Sequence, residues 1–269
     1  MGEEISDKNN WHGKPMNQEQ CDKICANLES QMTEQPKLTP PVPSKEAVEL
    51  SEYENHVVKL SSPPAYLETD KVATRKAFGN ALKKLDNERV VVADGDTKNS
   101  TFSIDFMKVF PDRFIECFIA EQLIAGVIMG VSCRNRAVTF GSTFAAFWSR
   151  AYDQIRMGAI SQTNANFVGS HAGCSIGEDG PSQMALEDLG MFRSIAGSTV
   201  FYPSDPVSAE NAVVCAANTK GITFIRTSRP GTKCLYKMDE EFKVGEHKVV
   251  REGGSVMVIG AGVTVGSKD

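Results

Sequence analysis

The chain has 269 residues, of which 41% are hydrophobic and a further 22 are glycine, and its formal net charge is −5. This composition suits a sizeable globular core, and the net negative charge gives no electrostatic footprint for nucleic acid or an anionic membrane. No apolar run reaches the roughly 18 residues that a bilayer span needs, so neither nucleic acid nor membrane is expected as a partner.

The first zone, 1–32, opens with neither the basic stretch nor the apolar stretch of a secretory signal. It carries Trp11-His12-Gly13-Lys14-Pro15 and then helical periodicity from Gln18 onward. Cys21 and Cys25 join Ile24, Leu28 and Met32 in what reads as the apolar stripe of that helix. No histidine or second cysteine pair lies close enough to complete a metal site. Seven scattered cysteines, an odd number, fit a reduced, cytoplasmic compartment. There the sequon Asn99-Ser100-Thr101 would go unmodified. The second zone, 33–66, holds six of the twelve prolines and no sustained periodicity, so it reads as an extended linker.

In the third zone, 67–232, the pattern becomes regular. A helix is expected over 71–85, with Val72, Phe78, Ala81, Leu82 and Leu85 inward and Asp70 as its N-cap. Strands are expected at 89–93, 114–119, 137–140, 165–168, 198–202 and 222–226. Helices are expected at 122–132, 144–160, 182–192 and 207–218. Strands that are apolar throughout and joined by helices indicate the α/β class, a parallel sheet covered on both faces. The fourth zone, 233–269, ends in an expected strand at 255–259 that reads as the start of a domain the chain does not finish.

In such sheets chemistry collects at the carboxyl ends of the strands. That rule selects the loops that begin at Asp94, Ala120, Ser142, Gly169 and Thr227. Two other motifs mislead. Gly173-Cys174-Ser175-Ile176-Gly177 matches the G-x-S-x-G elbow, but the Glu178-Asp179-Gly180-Pro181 that follows is loop chemistry, not the required helix. Gly260-Ala261-Gly262 with Gly266 lacks the helix and acidic partner of a dinucleotide fingerprint.

The run Phe114-Ile115-Glu116-Cys117-Phe118-Ile119-Ala120-Glu121-Gln122 resembles animal-type transketolase. So do Asp94-Gly95-Asp96-Thr97, Ser142-Thr143-Phe144-Ala145-Ala146-Phe147, the stretch from Gly169-Ser170-His171 to Ser182-Gln183, and Thr227-Ser228-Arg229-Pro230. The resemblance runs from about Lys71 to Thr264 and implies the pyrimidine-binding domain of a thiamine-diphosphate enzyme. On that footing 1–32 is the tail of the diphosphate-binding domain, 33–66 the linker, 67–232 the pyrimidine-binding domain, and 233–269 the incomplete start of the C-terminal domain.

The resemblance implies that Glu121 is the catalytic acid facing the cofactor's pyrimidine, that Phe144 and Phe147 stack near that ring, and that Gln183 lies beside it. It assigns His12 to the diphosphate and substrate region. It places Arg75, Ser100, His171, Asp179 and Arg229 at the sugar phosphate, where an arginine fork with histidine and hydroxyl donors suits a phosphate monoester. From the residues alone, Glu121 serves equally as a helix-N-terminal acid favoured by the dipole, and Phe144 and Phe147 as core aromatics. Where some relatives have a further aromatic residue, Arg150 stands here.

The family's magnesium or calcium is held by a Gly-Asp-Gly motif and a later asparagine. This sequence has only the reversed Asp94-Gly95-Asp96, so no metal ligand is assigned. The implied function is transfer of a two-carbon ketol unit between sugar phosphates, with this chain inactive alone and completed by a homodimer mate or a full-length transketolase subunit. The alternatives are a non-catalytic truncated paralogue that dimerises with full-length transketolase, or a subunit of another thiamine-diphosphate enzyme.

Overall fold

A computed structural model describes residues 15–33, 57–85, 87–133 and 135–266. The chain divides into two compact units, 1–48 and 49–269. In the first, α1 (Gln18–Gln31) begins with a capping box: the Asn17 side chain accepts from the Gln20 backbone N–H at 2.8 Å, and Gln20 Oε1 accepts from the Asn17 backbone N–H at 3.1 Å. The expected apolar stripe is not buried as a stripe. Ile24 is buried, but Cys25, Leu28 and Met32 are exposed. The expected linker lies largely outside the described residues.

The second unit begins its regular structure with β1 (Lys71–Ala73), paired antiparallel with β8 (Gly231–Lys233). Helix α2 (Thr74–Lys84) follows directly, burying Thr74, Ala77, Phe78, Ala81 and Leu82, the positions that share one helical face. Asp70 is not its cap. The strand β1 intervenes, and the Asp70 carboxylate instead accepts from the Leu67 backbone N–H at 2.9 Å.

The remaining elements, in order, are β2 (Val90–Asp94), α3 (Lys98–Thr101), α4 (Ile104–Val109), β3 (Phe114–Glu116), α5 (Glu121–Ser132), β4 (Val138–Phe144), α6 (Tyr152–Ile160), β5 (Ala165–Ser170), α7 (Asp188–Arg193), β6 (Thr199–Phe201), α8 (Pro206–Ala217) and β7 (Ile222–Arg226). Six strands form one parallel sheet in the order β3-β2-β4-β5-β7-β6. Successive residues of a strand feed opposite faces: Phe167 and Phe224 pack with Trp148, Ile124 and Phe192 on one side, while Val168 and Ile225 pack with Phe78, Leu82 and Phe140 on the other. Both faces are covered, which is why β5 and β7 are buried along their whole length.

Several expected boundaries move, each for a local reason. The strand expected to 119 ends at Glu116, because its carboxylate accepts from the Phe118 N–H at 3.0 Å and Phe118 turns to φ 56°. Strand β4 runs on to Phe144, whose pairing with Ser170 of β5 displaces the expected helix; a 3-10 turn over Ala145–Ala151 then leads into α6. The helix expected from 182 starts at Asp188, because Ala185 is held extended against Ala172. The expected strand at 255–259 does not form. Val256, Met257, Val258 and Ile259 are 77–88% exposed, and no described strand pairs with them.

Candidate active site

The strand order reverses between β2 and β4, so a crevice opens at the carboxyl ends of those two strands. Asp94 closes β2 there and is fully buried. Its carboxylate accepts from Thr97 N at 2.7 Å, Thr97 Oγ1 at 3.0 Å, Thr101 Oγ1 at 2.8 Å, Ser103 Oγ at 2.9 Å and, from β4, Ser142 Oγ at 2.6 Å. Burial pushes its pKa up, and the hydroxyl donors partly offset this. One side chain thereby fixes the loop over 95–103 that carries Ser100. Nothing in the sequence reading singled out Asp94 for this work. The recurrent Thr and Ser after it were the available signal.

Five of the expected site residues converge. Arg75 leaves the first turn of α2 and its Nη1 donates to the Ser100 carbonyl at 2.8 Å. It is the backbone of Ser100, not its hydroxyl, that meets the arginine. Arg75 Nη1 also stands 3.5 Å from His171 Nε2. His171 follows β5 with φ 57°, is only 3% exposed, and has Nδ1 2.9 Å from Ser170 Oγ. Arg229, beyond β7, donates through Nη1 to Asp179 Oδ2 at 2.8 Å and to the Ile176 carbonyl at 2.6 Å, and through Nη2 to Glu178 Oε1 at 2.6 Å. Burial, and then the Arg75 guanidinium, lower the His171 pKa to about 4. At neutral pH the imidazole is therefore uncharged. Burial, followed by Arg229, also lowers the Arg75 pKa.

Glu121 occupies a second place on the same edge. It is the first residue of α5, with a side chain 10% exposed. Its Oε2 has no hydrogen-bond partner among the described residues, and the nearest cation, Arg150 Nε, is 3.8 Å away. Glu121 lines a cleft of ≈ 480 Å³ together with Phe147, Arg150, Ser182, Met184 and Glu187. Phe147 stacks on Phe144 (centroids 5.1 Å apart, planes at 18°), and Phe144 stacks on His171 (4.0 Å, 22°). A column of three rings thus joins the cleft to the basic cluster. Gln183 is half-buried between two lining residues without lining the cleft itself. His12 lies outside the described residues.

The cleft wall has an anchor that the sequence did not reveal. Arg226, at the end of β7, donates through Nε to the buried Asp188 at 2.7 Å and through Nη2 to the Ala185 carbonyl at 2.9 Å, with Tyr202 stacked 4.5 Å beneath it. This holds the 185–188 stretch against the sheet. The 174–176 stretch, where the G-x-S-x-G string falls, is a single 3-10 turn and lacks the helix a nucleophile elbow needs. Among the described residues no group of three or more His, Cys, Asp or Glu could hold a metal ion, and no helix is long and apolar enough to cross a membrane.

A family model described as the transketolase pyrimidine-binding domain matches residues 70–233. Over 265 residues, covering 97% of this chain and 42% of the relative, the sequence is 56% identical to transketolase-like protein 2 of Mus musculus. It is 54% identical to Homo sapiens transketolase over 267 residues, again 97% of this chain and 42% of that protein. The chain therefore spans less than half the length of these relatives. Among solved structures, a split-gene transketolase described as an inactive beta4 tetramer aligns with a TM-score of 0.61 and 37% identity, covering 68% of this chain and 59% of that one.

Proposed function

The chain belongs to the transketolase family, and from that premise we propose that it supplies the pyrimidine and sugar-phosphate side of a thiamine-diphosphate site. The reaction is transfer of a two-carbon ketol unit from a ketose phosphate to an aldose phosphate. The observation that carries this reading is the buried Oε2 of Glu121, without a hydrogen-bond partner among the described residues, in the lining of a cleft that Phe147 also lines.

Thiamine diphosphate, when bound, supplies the nucleophilic carbon that the transfer requires. The residues of this chain do the rest on its side of the site. Glu121 holds a proton at a ring nitrogen of the pyrimidine, and Phe147 packs on that ring. Arg75, His171 and Arg229 bind the phosphate monoester, and Asp179 accepts from a sugar hydroxyl. The fit is one-sided. The sequence has no Gly-Asp-Gly motif, and the described residues offer no metal cluster, so a magnesium or calcium ion and the diphosphate need ligands from elsewhere. A second subunit, a homodimer mate or a full-length transketolase, would bring them. All seven cysteines are free, which supports a reducing compartment, and we assign the chain to the cytoplasm.

The test is ketol transfer from xylulose 5-phosphate to ribose 5-phosphate with thiamine diphosphate and magnesium. The chain is assayed alone and mixed with the diphosphate-binding half of a full-length relative, beside its Glu121→Ala variant. Turnover only in the mixture, and lost with Glu121, is the expected result. Equal turnover by Glu121→Ala would overturn the reading, and turnover by the chain alone would overturn the need for a second half.

A further inference from the structure

The basic cluster has a charge problem if its ligand is a dianion. Its two guanidiniums are matched by two carboxylates: Arg229 is bonded to both Glu178 and Asp179, and Arg75 stands beside them. With His171 neutral, the formal sum over Arg75, Arg229, Glu178 and Asp179 is zero. The cluster as it stands offers a phosphate monoester donors but no excess positive charge. The group of the cluster that can gain a positive charge is His171, and with its pKa lowered to about 4 it does so at neutral pH only if the bound dianion raises that pKa.

Which nitrogen takes the proton follows from what faces each. His171 Nε2 faces Arg75 Nη1 at 3.5 Å, the outer limit of a hydrogen bond, and a guanidinium nitrogen only donates, so this contact favours a lone pair on Nε2 without fixing it. Asp179 Oδ2, 3.9 Å from Nε2, is already occupied by Arg229 and is too far to accept from an Nε2–H. The shorter contact is the stronger constraint: Nδ1 stands 2.9 Å from Ser170 Oγ, and an Nδ1–H donating to that hydroxyl leaves the Nε2 lone pair toward Arg75. The other neighbours do not alter this. Phe144 of β4 covers one ring face at 4.0 Å, and besides Arg75 and Asp179 the charged group that acts on the imidazole is Arg229, itself paired with Asp179. Ser170 is 1% exposed, at the last position of β5, opposite Phe144 in the register, so its hydroxyl has a fixed origin.

We propose that Ser170 is a positioning residue that locks His171 in the Nδ1–H tautomer, so that a dianion entering the cluster is met by proton uptake onto Nε2. The proton comes from solvent, Nδ1–H stays on Ser170, and the imidazolium supplies the positive charge that the paired carboxylates cancel elsewhere. This rests on the reading of the cluster as a phosphate-monoester site. Sulfate is the suitable probe, since it stays a dianion over the working range and leaves all titration to the protein.

Two measurements on the whole chain decide it. In nitrogen-15 spectra of the imidazoles at neutral pH, with the His171 signals identified by their loss in His171→Gln, the ring should show a protonated Nδ1 and a bare Nε2. Ser170→Ala should turn that single pattern into a mixture of tautomers. An Nε2–H ring in the unmodified chain, or an unchanged pattern in Ser170→Ala, overturns the proposal. Calorimetric titration with sulfate in buffers of different ionisation enthalpy should show uptake approaching one proton per sulfate. The affinity should weaken by up to about tenfold per pH unit on going from pH 6 to 8, and His171→Gln should flatten that slope. Sulfate bound without proton uptake also overturns the proposal. Failure of sulfate to perturb His171 at all would instead sink the phosphate reading of the cluster, with the tautomer still decided by the spectra.

Discussion

The basic cluster around His171 and the cleft at Glu121 lie on the same edge of the sheet and are built in opposite ways. In the cluster, Arg229 has two carboxylates, His171 has Ser170, and Arg75 donates through Nη1 to the Ser100 carbonyl, while its buried Nε has no hydrogen-bond partner among the described residues. In the cleft, Glu121 keeps one buried carboxylate oxygen with no hydrogen-bond partner among the described residues, only the Arg150 guanidinium at 3.8 Å. A hydrogen-bonded cluster holds its own geometry. A buried, unsatisfied polar atom costs about 1–3 kcal/mol and persists where something from outside completes it. The first site is preformed by this chain, and the second is left open for a ligand or partner.

Replacing Glu121 draws the contrast most sharply. In the completed enzyme, Glu121→Ala is expected to lower kcat by about 10²–10⁴-fold, the usual reach of a positioned acid or base. In urea unfolding, the same variant should be no less stable than the unmodified chain. A stability loss well beyond about 1 kcal/mol would mean that Glu121 is a structural residue after all, and the contrast would fail. The converse case is Asp188→Ala, which strands the buried Arg226 without its carboxylate and should cost about 3–5 kcal/mol by urea midpoint. If that loss were under about 1 kcal/mol, the cleft wall would not depend on its anchor.

The pH response of the preformed site has a definite sign. Burial, and then Arg75, lower the His171 pKa from 6.5 to about 4. The native state thus binds fewer protons than the unfolded chain in that window. Stability from this group is complete above pH 6.5 and declines as pH falls toward 4. Urea midpoints taken from pH 7 down to pH 5 should fall less steeply in His171→Gln than in the unmodified chain. The smallest effect belongs to Arg150. Its side chain is 67% exposed and 3.8 Å from Glu121, so Arg150→Ala should change stability by no more than about 1 kcal/mol. A larger change would show that Arg150, not a ligand, satisfies the open carboxylate.

Much of this architecture can be read along the chain. The run Val90-Val91-Val92-Ala93 is apolar at every position, and Ile222-Thr223-Phe224-Ile225 at every position but Thr223, as a strand buried on both faces requires. Glu121 is conspicuous because an acid follows Phe118-Ile119-Ala120 at the start of a helical pattern. The errors share a cause. Asp70 stands where the local pattern expects a helix cap, yet β1 interposes because it pairs with β8, which begins at Gly231. The expected helix includes 182–187, but Arg226, 38 residues beyond Asp188, bonds the Ala185 carbonyl and Asp188 while Ala185 bridges to Ala172, and the stretch stays a turn and bend instead. The apolar 255–259 run has strand composition and no strand to pair with among the described residues. Local pattern cannot report partners that arrive from far along the chain.

The sequence by itself determined the class of fold and the helical pattern that Glu121 opens, because hydrophobic periodicity is a local property, while the polar residues of the site were named by the family resemblance alone. Only the tertiary structure decided which of those residues touch. It brought Ser142 to Asp94 from the neighbouring strand and stacked His171, Phe144 and Phe147 into one column. It also left Glu121 with an oxygen unsatisfied. Those outcomes depend on strand register and on the distances between elements remote in sequence, which no local pattern encodes.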